Sequence, residues 1–219
     1  MTETVKLEKK VLSENHALAA ELRARFKSLG LNVLNLVSSP GAGKTSLLER
    51  TLSTLGERHR IGLIAGDVQT ENDAQRLIRA GGKQVRPIIT GGACHLDARM
   101  ISRVVPEWDL SAIDLLIIEN VGNLVCPSSY DLGEDMKVVL VSTTEGDDKP
   151  LKYPAMFRRS SVMVINKIDL LGASDFEMDR VKRNARGINP ALKIFELSCR
   201  TGEGMQIWTD WLIQLMRPR

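Results

Sequence analysis

The sequence has few cysteines, no long apolar run and little net charge. Its three cysteines are too few for the disulfide framework of a small secreted protein and are more typical of thiols or metal ligands. The longest uninterrupted apolar runs, such as residues 115–118, fall far below the roughly 18 residues of a membrane span. Residues 1–10 carry charges and no apolar core, so we expect no secretory signal. The sequence therefore predicts a soluble, cytoplasmic protein without a membrane partner.

The charges of the chain are nearly balanced. There are 30 lysines and arginines against 27 aspartates and glutamates, a formal charge of +3, and the basic residues are scattered. This surplus is too small to indicate a nucleic-acid partner. Hydrophobic residues make up 43% and charged residues 26% of the 219, which is ordinary globular usage. We expect one folded domain, because a single core can serve a chain of this length.

Short apolar runs alternate with helical patterns along the chain. Residues 6–29 place leucines and Phe26 near helical spacing, and Gly30 follows as a C-terminal cap. Strands are predicted at residues 32–37, 61–65, 85–89, 113–118, 137–141, 161–165 and 194–197. Helices are predicted at residues 44–55, 71–80, 96–105, 174–185 and 204–216. The alternation predicts an α/β fold over residues 31–219, with a mainly parallel, doubly wound sheet, helices on both faces, and an N-terminal helix (residues 1–30) packed on it.

A glycine-rich loop follows the first predicted strand and opens a helix. It reads SSPGAGKT over residues 38–45, and the backbone N–H groups and positive helix end of such a loop suit phosphates. Lys44 is expected to reach the β- and γ-phosphates, and the Thr45 hydroxyl to bind Mg²⁺. The usual first glycine of the motif is Ser38 here, and the alternative interpretation is a tight turn with an exposed lysine. The pattern predicts a P-loop NTPase with nucleotide contacts at Pro40, Gly41, Ala42, Gly43, Lys44, Thr45 and Ser46.

The motif NKID at residues 166–169 follows the sixth predicted strand. A carboxylate can accept hydrogen bonds from both the ring N–H and the exocyclic amine of guanine; adenine lacks this donor pair, so we expect Asp169 to select guanine. The amide of Asn166 can contact the other edge of the base, and the stem of Lys167 can cover its plane. Ser198 and Cys199, after the last strand, resemble a GTPase segment whose backbone contacts the guanine oxygen. These motifs predict GTP and GDP as ligands.

Two carboxylates follow predicted strands. The fourth strand runs from Asp114 to Glu119 and continues to Gly122, and this Glu-x-x-Gly pattern takes the place of Asp-x-x-Gly in more familiar GTPases. A carboxylate there can orient Mg²⁺ or its water shell. Asp67 follows the second strand, and we expect it near the γ-phosphate, positioning the attacking water; either carboxylate could instead be a cap. The predicted catalytic residues are Lys44, Asp67 and Glu119. The predicted magnesium ligands are Thr45, Asp67 and Glu119.

A second candidate metal site contains two of the cysteines. Cys94 and His95 start a predicted helix, and Cys126 lies shortly after Gly122. Thiolate and imidazole are good ligands for zinc and nickel. A Cys-His pair cannot fill a coordination sphere, so Cys126, a second subunit or water would have to complete it. The alternative is structural, with Cys126 a small buried side chain and His95 a surface residue.

Taken together, these residues resemble the HypB family, the nickel-insertion GTPases of hydrogenase maturation. The similarity covers nearly the whole chain, and its distinctive segments are residues 66–74 (GDVQTENDA), 94–98 (CHLDA), 119–127 (ENVGNLVCP) and 144–154 (TEGDDKPLKYP). Some members of the family also carry an N-terminal cysteine cluster or a histidine-rich tract. This sequence has no cysteine before Cys94 and only His16 near its start, so we expect any tight nickel site to use the internal residues.

The resemblance implies slow GTP hydrolysis, a nucleotide-dependent homodimer and a metal site near the dimer interface. Cys94, His95 and Cys126 match the ligand positions of that site, which would take nickel or zinc. It further implies delivery of nickel to a hydrogenase large-subunit precursor, together with a small zinc-containing nickel chaperone of the HypA type.

Other functions compete with this one. The related urease-maturation GTPases share fold, nucleotide and nickel but carry a Cys-Pro-His arrangement, whereas Cys94 directly precedes His95 here, which favours hydrogenase maturation. A metal carrier or regulatory switch with incidental GTP hydrolysis is the alternative from a different class. If the Cys-His pair binds no metal, a signalling GTPase remains a possible function.

Overall fold

The seven predicted strands form one sheet in a computed structural model of the chain, which describes residues 3–216 and the side chains from residue 10 onward. The strands are β1 Asn32–Ser38, β2 Ile61–Asp67, β3 Gln84–Ile89, β4 Leu115–Gly122, β5 Met136–Ser142, β6 Val162–Asn166 and β7 Lys193–Glu196. Their order is β3-β2-β4-β1-β5-β6-β7, and each of the six neighbouring pairs is parallel. The predicted α/β fold with a doubly wound sheet is confirmed, and the sheet is wholly parallel.

Eight helices connect or flank these strands in the described part of the chain. They are α1 Glu3–Ser28, α2 Lys44–Leu55, α3 Asn72–Arg79, α4 Ala98–Val104, α5 Lys149–Lys152, α6 Pro154–Arg159, α7 Met178–Ile188 and α8 Met205–Leu215. The prediction of a helix at residues 174–185 was wrong at its start, because a 3₁₀ helix, Ile168–Ala173, and an irregular segment precede α7. The short helices α5 and α6, each with a proline in its first turn, were not predicted.

Helices cover both faces of the sheet, as predicted. Alternate side chains of a strand point to opposite faces. Leu34 of β1 therefore packs with α2, α3 and α8, whereas Val33 packs with α1 and α4. Further along the second face, α6 and α7 cover β5 and β6. The five inner strands are buried on both faces, which explains why their sequences are largely apolar.

The N-terminal helix α1 packs along the second face. Ala19, Leu22 and Phe26 are buried there, close to the predicted apolar stripe. Gly30 has a φ of +62° and follows the helix end as the expected left-handed cap. Between residues 3 and 216, no helix has the length and apolar character needed to cross a membrane.

The predicted motifs lie together at the carboxyl edge of the sheet, where ligands bind in open α/β folds. Ser38, Asp67 and Asn166 are the last residues of β1, β2 and β6. Glu119 lies before the end of β4, because the strand continues to Gly122, as expected from the sequence. Glu119 is therefore a residue of the strand, held between β1 and β2 by its pairing with Leu36 and Ala65.

Candidate nucleotide and metal sites

The glycine-rich loop joins β1 to α2 in the geometry of a phosphate-binding loop. Gly43 has a φ of +102° and directly precedes α2. A Cβ at this position would collide with Nδ2 of Asn166, so both the backbone conformation and the space require glycine. Among the described residues, no side chain caps the start of α2. Its first N–H groups therefore remain available to an anion.

Ser38, which replaces the usual first glycine, contacts the loop lysine. The ammonium of Lys44 donates to Ser38 Oγ at 3.0 Å. Lys44 is buried, and this burial lowers its pKa, because an ammonium is less stable away from water. A bound phosphate would supply the negative charge that favours the ammonium form.

Glu119 and Thr45 meet at the floor of the cavity around the loop. Thr45 Oγ1 donates to Oε1 of Glu119 at 2.7 Å. Glu119 is only 2% exposed, and Oε2 lacks a hydrogen-bond partner among the described residues. Burial raises the pKa of Glu119 to about 7. A buried carboxylate oxygen without a partner, beside a threonine hydroxyl, fits a hard cation such as Mg²⁺, which prefers oxygen ligands.

Asp67 lines the same cavity, of about 430 Å³, from the end of β2. Its Oδ1 accepts from the backbone N–H groups of Gln69 and Thr70 at 2.8 and 2.7 Å. Burial alone would raise the pKa of Asp67, but these hydrogen bonds outweigh it and lower the pKa below its ordinary value. The carboxylate of Asp67 thus stabilises the turn that follows it and also lies on the wall of the cavity.

A second cavity of about 550 Å³ adjoins the first and is lined by Lys167, Asp169 and Cys199. Ser198 Oγ donates to Oδ1 of Asp169 at 2.5 Å and orients this carboxylate. The two cavities share Gly43 and Ser46. A ligand with a planar base at one end and phosphates at the other could therefore occupy both cavities at once.

The predicted base-binding residues also hold the site together. The amide of Asn166 donates to Ala42 O at 2.9 Å and accepts from the backbone of Cys199 at 3.2 Å, so it joins the phosphate loop to the base loop. Lys167 adopts a φ of +64°, and its ammonium donates to Gly41 O at 2.9 Å. Burial raises the pKa of the Cys199 thiol to about 12, which keeps it protonated and unlike a metal ligand.

Two arginines at these cavities carry no motif and were not predicted. Arg50 donates to the carbonyls of Cys199 and Arg200 at 2.7 and 2.8 Å, which ties the base loop to α2. Arg76 on the wall of the phosphate cavity pairs with Glu49 at 2.8 Å. Arg76 also pairs with Asp73 one helical turn before it, but the contacts that tie these arginines to other elements reach distant parts of the sequence and give no signal in spacing.

Cys94, His95 and Cys126 come together in a third place, next to Leu96, which packs with α1 and α4 on the second face of the sheet. Their ligand atoms all lie within 4.8 Å of one another, and the two sulfur atoms are 2.9 Å apart. Cys94 is exposed and Cys126 half-buried. Burial lowers the pKa of the His95 imidazole, which favours the neutral form that ligates metals. The structural alternative had Cys126 as a small buried side chain and His95 as a surface residue; both are half-buried.

The surroundings of the cluster add contacts that the sequence did not suggest. The rings of His95 and Tyr130 lie with their centroids 3.8 Å apart. Asn123 donates to the carbonyl of Cys94 at 3.3 Å. Three soft or borderline ligands with part of the sphere open to solvent suit a nickel or zinc ion that is exchanged.

Known proteins resemble the chain over nearly its full length. The model of the CobW/HypB/UreG nucleotide-binding domain matches residues 32–196. A hydrogenase maturation factor HypB of Azotobacter vinelandii is 50% identical over 208 residues, which are 95% of this chain and 68% of that protein. A hydrogenase/urease maturation factor HypB of Helicobacter pylori is 42% identical over 217 residues, 97% of this chain and 88% of that protein. The crystal structure of Helicobacter pylori HypB in complex with nickel has a TM-score of 0.85 at 41% identity, covering 92% of this chain and 94% of that one. The chain belongs to the HypB family.

In this HypB family member, one strand connects the phosphate cavity with the thiol cluster. Glu119 and Asn120 are neighbours in β4 and point to opposite faces of the sheet. Glu119 meets Thr45, while Oδ1 of Asn120 accepts from the backbone of Leu96, next to His95. The loop after β4 then carries Cys126. A displacement of β4 would therefore move groups in both sites.

Proposed function

We propose that this chain is a GTPase that binds nickel or zinc at Cys94, His95 and Cys126, and that its nucleotide state controls dimerisation and nickel delivery to a [NiFe]-hydrogenase precursor. The observation that carries the proposal is the strand β4. It brings a buried carboxylate to the phosphate cavity and leads directly into the loop that carries Cys126. The names of the relatives, which concern hydrogenase maturation and nickel, support the same function.

The base end of the nucleotide would bind in the larger cavity. Asp169, oriented by Ser198, would accept from the two N–H donors on one edge of guanine. The backbone around Cys199 would lie at the guanine oxygen. Asn166 would act mainly by holding the phosphate loop against this pocket, since its amide is engaged on both sides.

In hydrolysis, water attacks the γ-phosphorus and the bond to the β–γ bridging oxygen breaks. GDP leaves with that oxygen, the water oxygen stays on inorganic phosphate, and the proton of the water passes to phosphate oxygen or to solvent. Phosphoryl transfer depends mainly on positioning and on neutralising charge. The backbone N–H groups at the start of α2 and the ammonium of Lys44 would hold the phosphates, and Asp67 would orient the water. Thr45, Glu119 and Asp67 would hold Mg²⁺, which when bound supplies positive charge to the β- and γ-phosphates.

Nickel is the cargo in this scheme, and its site is only partly enclosed. Three ligands from one chain leave a coordination position open, and the exposed Cys94 makes it accessible. Val125, beside Cys126, is 60% exposed, an apolar side chain that a second copy or another protein could cover. These features support a homodimer and transfer to partners, namely a HypA-type nickel chaperone and the hydrogenase large-subunit precursor, in the cytoplasm.

Nucleotide and metal would be linked through Glu119 and the loop that follows it. If the γ-phosphate orders this strand end and weakens the metal site, metal must weaken GTP binding by the same factor. A nickel affinity that is identical with GDP and with a GTP analogue would contradict this linkage.

Nickel and zinc titrations, combined with measurement of the molecular mass in solution, test the proposal. The wild type, Cys94→Ala and His95→Ala are compared with GDP or a non-hydrolysable GTP analogue, and His59→Ala, a histidine remote from the cluster, is the control. We expect nucleotide-dependent binding that both cluster variants lose and the control retains, with a doubled mass on the GTP analogue. Absence of specific metal binding in every nucleotide state would refute the metal-delivery function and leave a GTPase.

A second acceptor, urease, is the alternative, because the Helicobacter pylori relative is named for both hydrogenase and urease maturation. Deleting the gene and measuring both nickel enzymes separates the two: loss of hydrogenase activity alone supports the proposal. If the chain is instead a metal carrier whose GTP hydrolysis is incidental, the Lys44→Ala variant should still deliver nickel normally.

A further inference from the structure

Asn15 of the N-terminal helix bridges the two segments that carry the thiol cluster. Its Oδ1 accepts from the backbone N–H of Ala98 at 2.8 Å. Its Nδ2 donates to the backbone carbonyl of Asp131 at 2.9 Å. Ala98 follows shortly after His95, and Asp131 follows shortly after Cys126. One buried amide, only 7% exposed, therefore connects both segments from the side of α1.

The segment between Asn15 and His95 has little freedom. The side chain of Leu96 is fully buried, and its backbone N–H donates to Oδ1 of Asn120 at 3.1 Å. Asp97 caps α4 by accepting from the backbone N–H of Met100 at 2.8 Å. The hydrogen bond that fixes the backbone of Ala98 therefore also restricts the positions of His95 and Cys94.

The segment between Cys126 and Asp131 is held in a similar way. The ammonium of Lys137 donates to the carbonyls of Pro127 and Tyr130 at 2.8 and 3.3 Å. Residues Cys126–Ser128 form a single 3₁₀ turn. Asp131 itself also accepts from Arg23 of the same helix, α1, at 2.5 Å. Because both segments are internally fixed, the bridge through Asn15 constrains their separation from the side of α1, in addition to the contact of Asn123 with the Cys94 carbonyl.

We propose that Asn15 is a positioning residue for the Cys94–His95–Cys126 cluster, and that α1 is a structural part of this metal site. The inference rests on the proposed function, in which the cluster takes a thiophilic divalent cation. Metal–sulfur distances tolerate deviations of only about 0.2 Å, so a site assembled from two segments needs their separation fixed. Residues that orient the ligands of a metal change its affinity by about 10- to 100-fold when they are replaced.

Nickel titrations of two variants and one matched control test the role of Asn15. Asn15→Ala removes both hydrogen bonds; Asn15→Asp keeps the acceptor for Ala98 but turns a second oxygen toward the Asp131 carbonyl. Asn189 is a matched control outside the two segments that carry the cluster: its amide likewise donates to backbone carbonyls, those of Phe157 and Ser160, and accepts from a backbone N–H, that of Ala191. We expect at least tenfold weaker nickel binding and an altered thiolate-to-nickel absorption band in both Asn15 variants, with GDP affinity unchanged. Asn189→Ala should lower thermal stability and leave nickel binding intact.

Intramolecular cross-linking measures the thiol geometry without metal. A diazene oxidant takes two hydrogens from the thiols of Cys94 and Cys126, becomes a hydrazine, and leaves a disulfide that mass spectrometry detects. We expect slower disulfide formation in Asn15→Ala than in the wild type and in Asn189→Ala, and Asn15→Asp provides the same comparison if the alanine variant does not fold.

The outcomes separate this inference from the proposed function. Wild-type nickel affinity and cross-linking rate in both Asn15 variants would overturn the positioning role, as would an equal loss in Asn189→Ala. A wild-type chain that binds no nickel would refute the proposed metal function, and the cross-linking rates would still decide whether Asn15 sets the distance between the thiols.

Discussion

Replacing Glu119 by glutamine should stabilise the protein at neutral and alkaline pH in the absence of divalent cations and nucleotide. Glutamine has nearly the shape of a protonated glutamate, so it keeps an oxygen for the Thr45 hydroxyl. It cannot carry the negative charge that burial disfavours. The variant thus isolates the free energy of holding a carboxylate at the floor of the phosphate cavity.

The size of the effect follows from the pKa of Glu119. Burial raises this pKa from 4.5 to about 7. The stabilisation from the bound proton is complete below pH 4.5 and is lost as the pH rises through about 7, since the unfolded chain releases the proton first. Each pKa unit is worth about 1.4 kcal/mol, so the full difference is about 3 kcal/mol. The advantage of Glu119→Gln should be below about 1 kcal/mol at pH 5 and about 3 kcal/mol at pH 8.

Urea unfolding at several pH values, with chelator present and followed by the fluorescence of the buried Trp208, measures this difference. At pH 8 the advantage corresponds to a melting temperature about 6–12 °C higher. Glu203→Gln, at an exposed glutamate, controls for removing a carboxylate from the surface. An advantage of the same size at pH 5 and pH 8 would refute the reasoning. Addition of Mg²⁺ to the GDP-bound protein should then stabilise the wild type more than Glu119→Gln.

Three further substitutions test the nucleotide site. Asp169→Asn should weaken GTP binding about 10- to 100-fold, because it loses charged hydrogen bonds, and should improve binding of xanthosine triphosphate. Competition titration measures both affinities, and an unchanged base preference would contradict the role of Asp169. Gly43→Ala should abolish nucleotide binding and lower the free energy of unfolding by about 1–3 kcal/mol, because the added Cβ collides with Asn166 and the backbone φ is +102°. Normal nucleotide binding in calorimetry would count against the loop geometry. Asp67→Asn keeps the acceptor for the Gln69 backbone N–H. It should slow single-turnover GTP hydrolysis at least tenfold and leave GTP affinity nearly unchanged. An unaltered rate would show that Asp67 takes no part in the hydrolytic step.

The fold could be predicted largely from the sequence, because its signals are local. The five inner strands are short, largely apolar runs, and α2 has the predicted bounds, with Gly43 directly before it and Gly56 directly after it. The prediction was poorer between residues 144 and 178, where α5 and α6 are too short to show helical periodicity and α7 begins four residues later than expected.

The candidate sites could be predicted as motifs but not as a three-dimensional arrangement. Asp169 and Lys44 belong to spaced patterns that carry their own chemistry. Asn15 and Lys137 do not, because their meaning depends on partners in other segments; Asp131 lies 116 positions from Asn15. A buried amide inside a polar stretch of helix looks like an ordinary solvated residue until its neighbours are known.

The alternation of side chains along β4 has a consequence for how such a chain can change. Glu119 and Asn120 serve opposite faces only because the strand keeps its register with β1 and β2. Inserting or deleting one residue between Leu115 and Glu119 would exchange the two faces, turning the amide toward the phosphate loop and the carboxylate toward the segment of His95. Substitutions can therefore tune either site alone, whereas a change of length in this strand disables both at once.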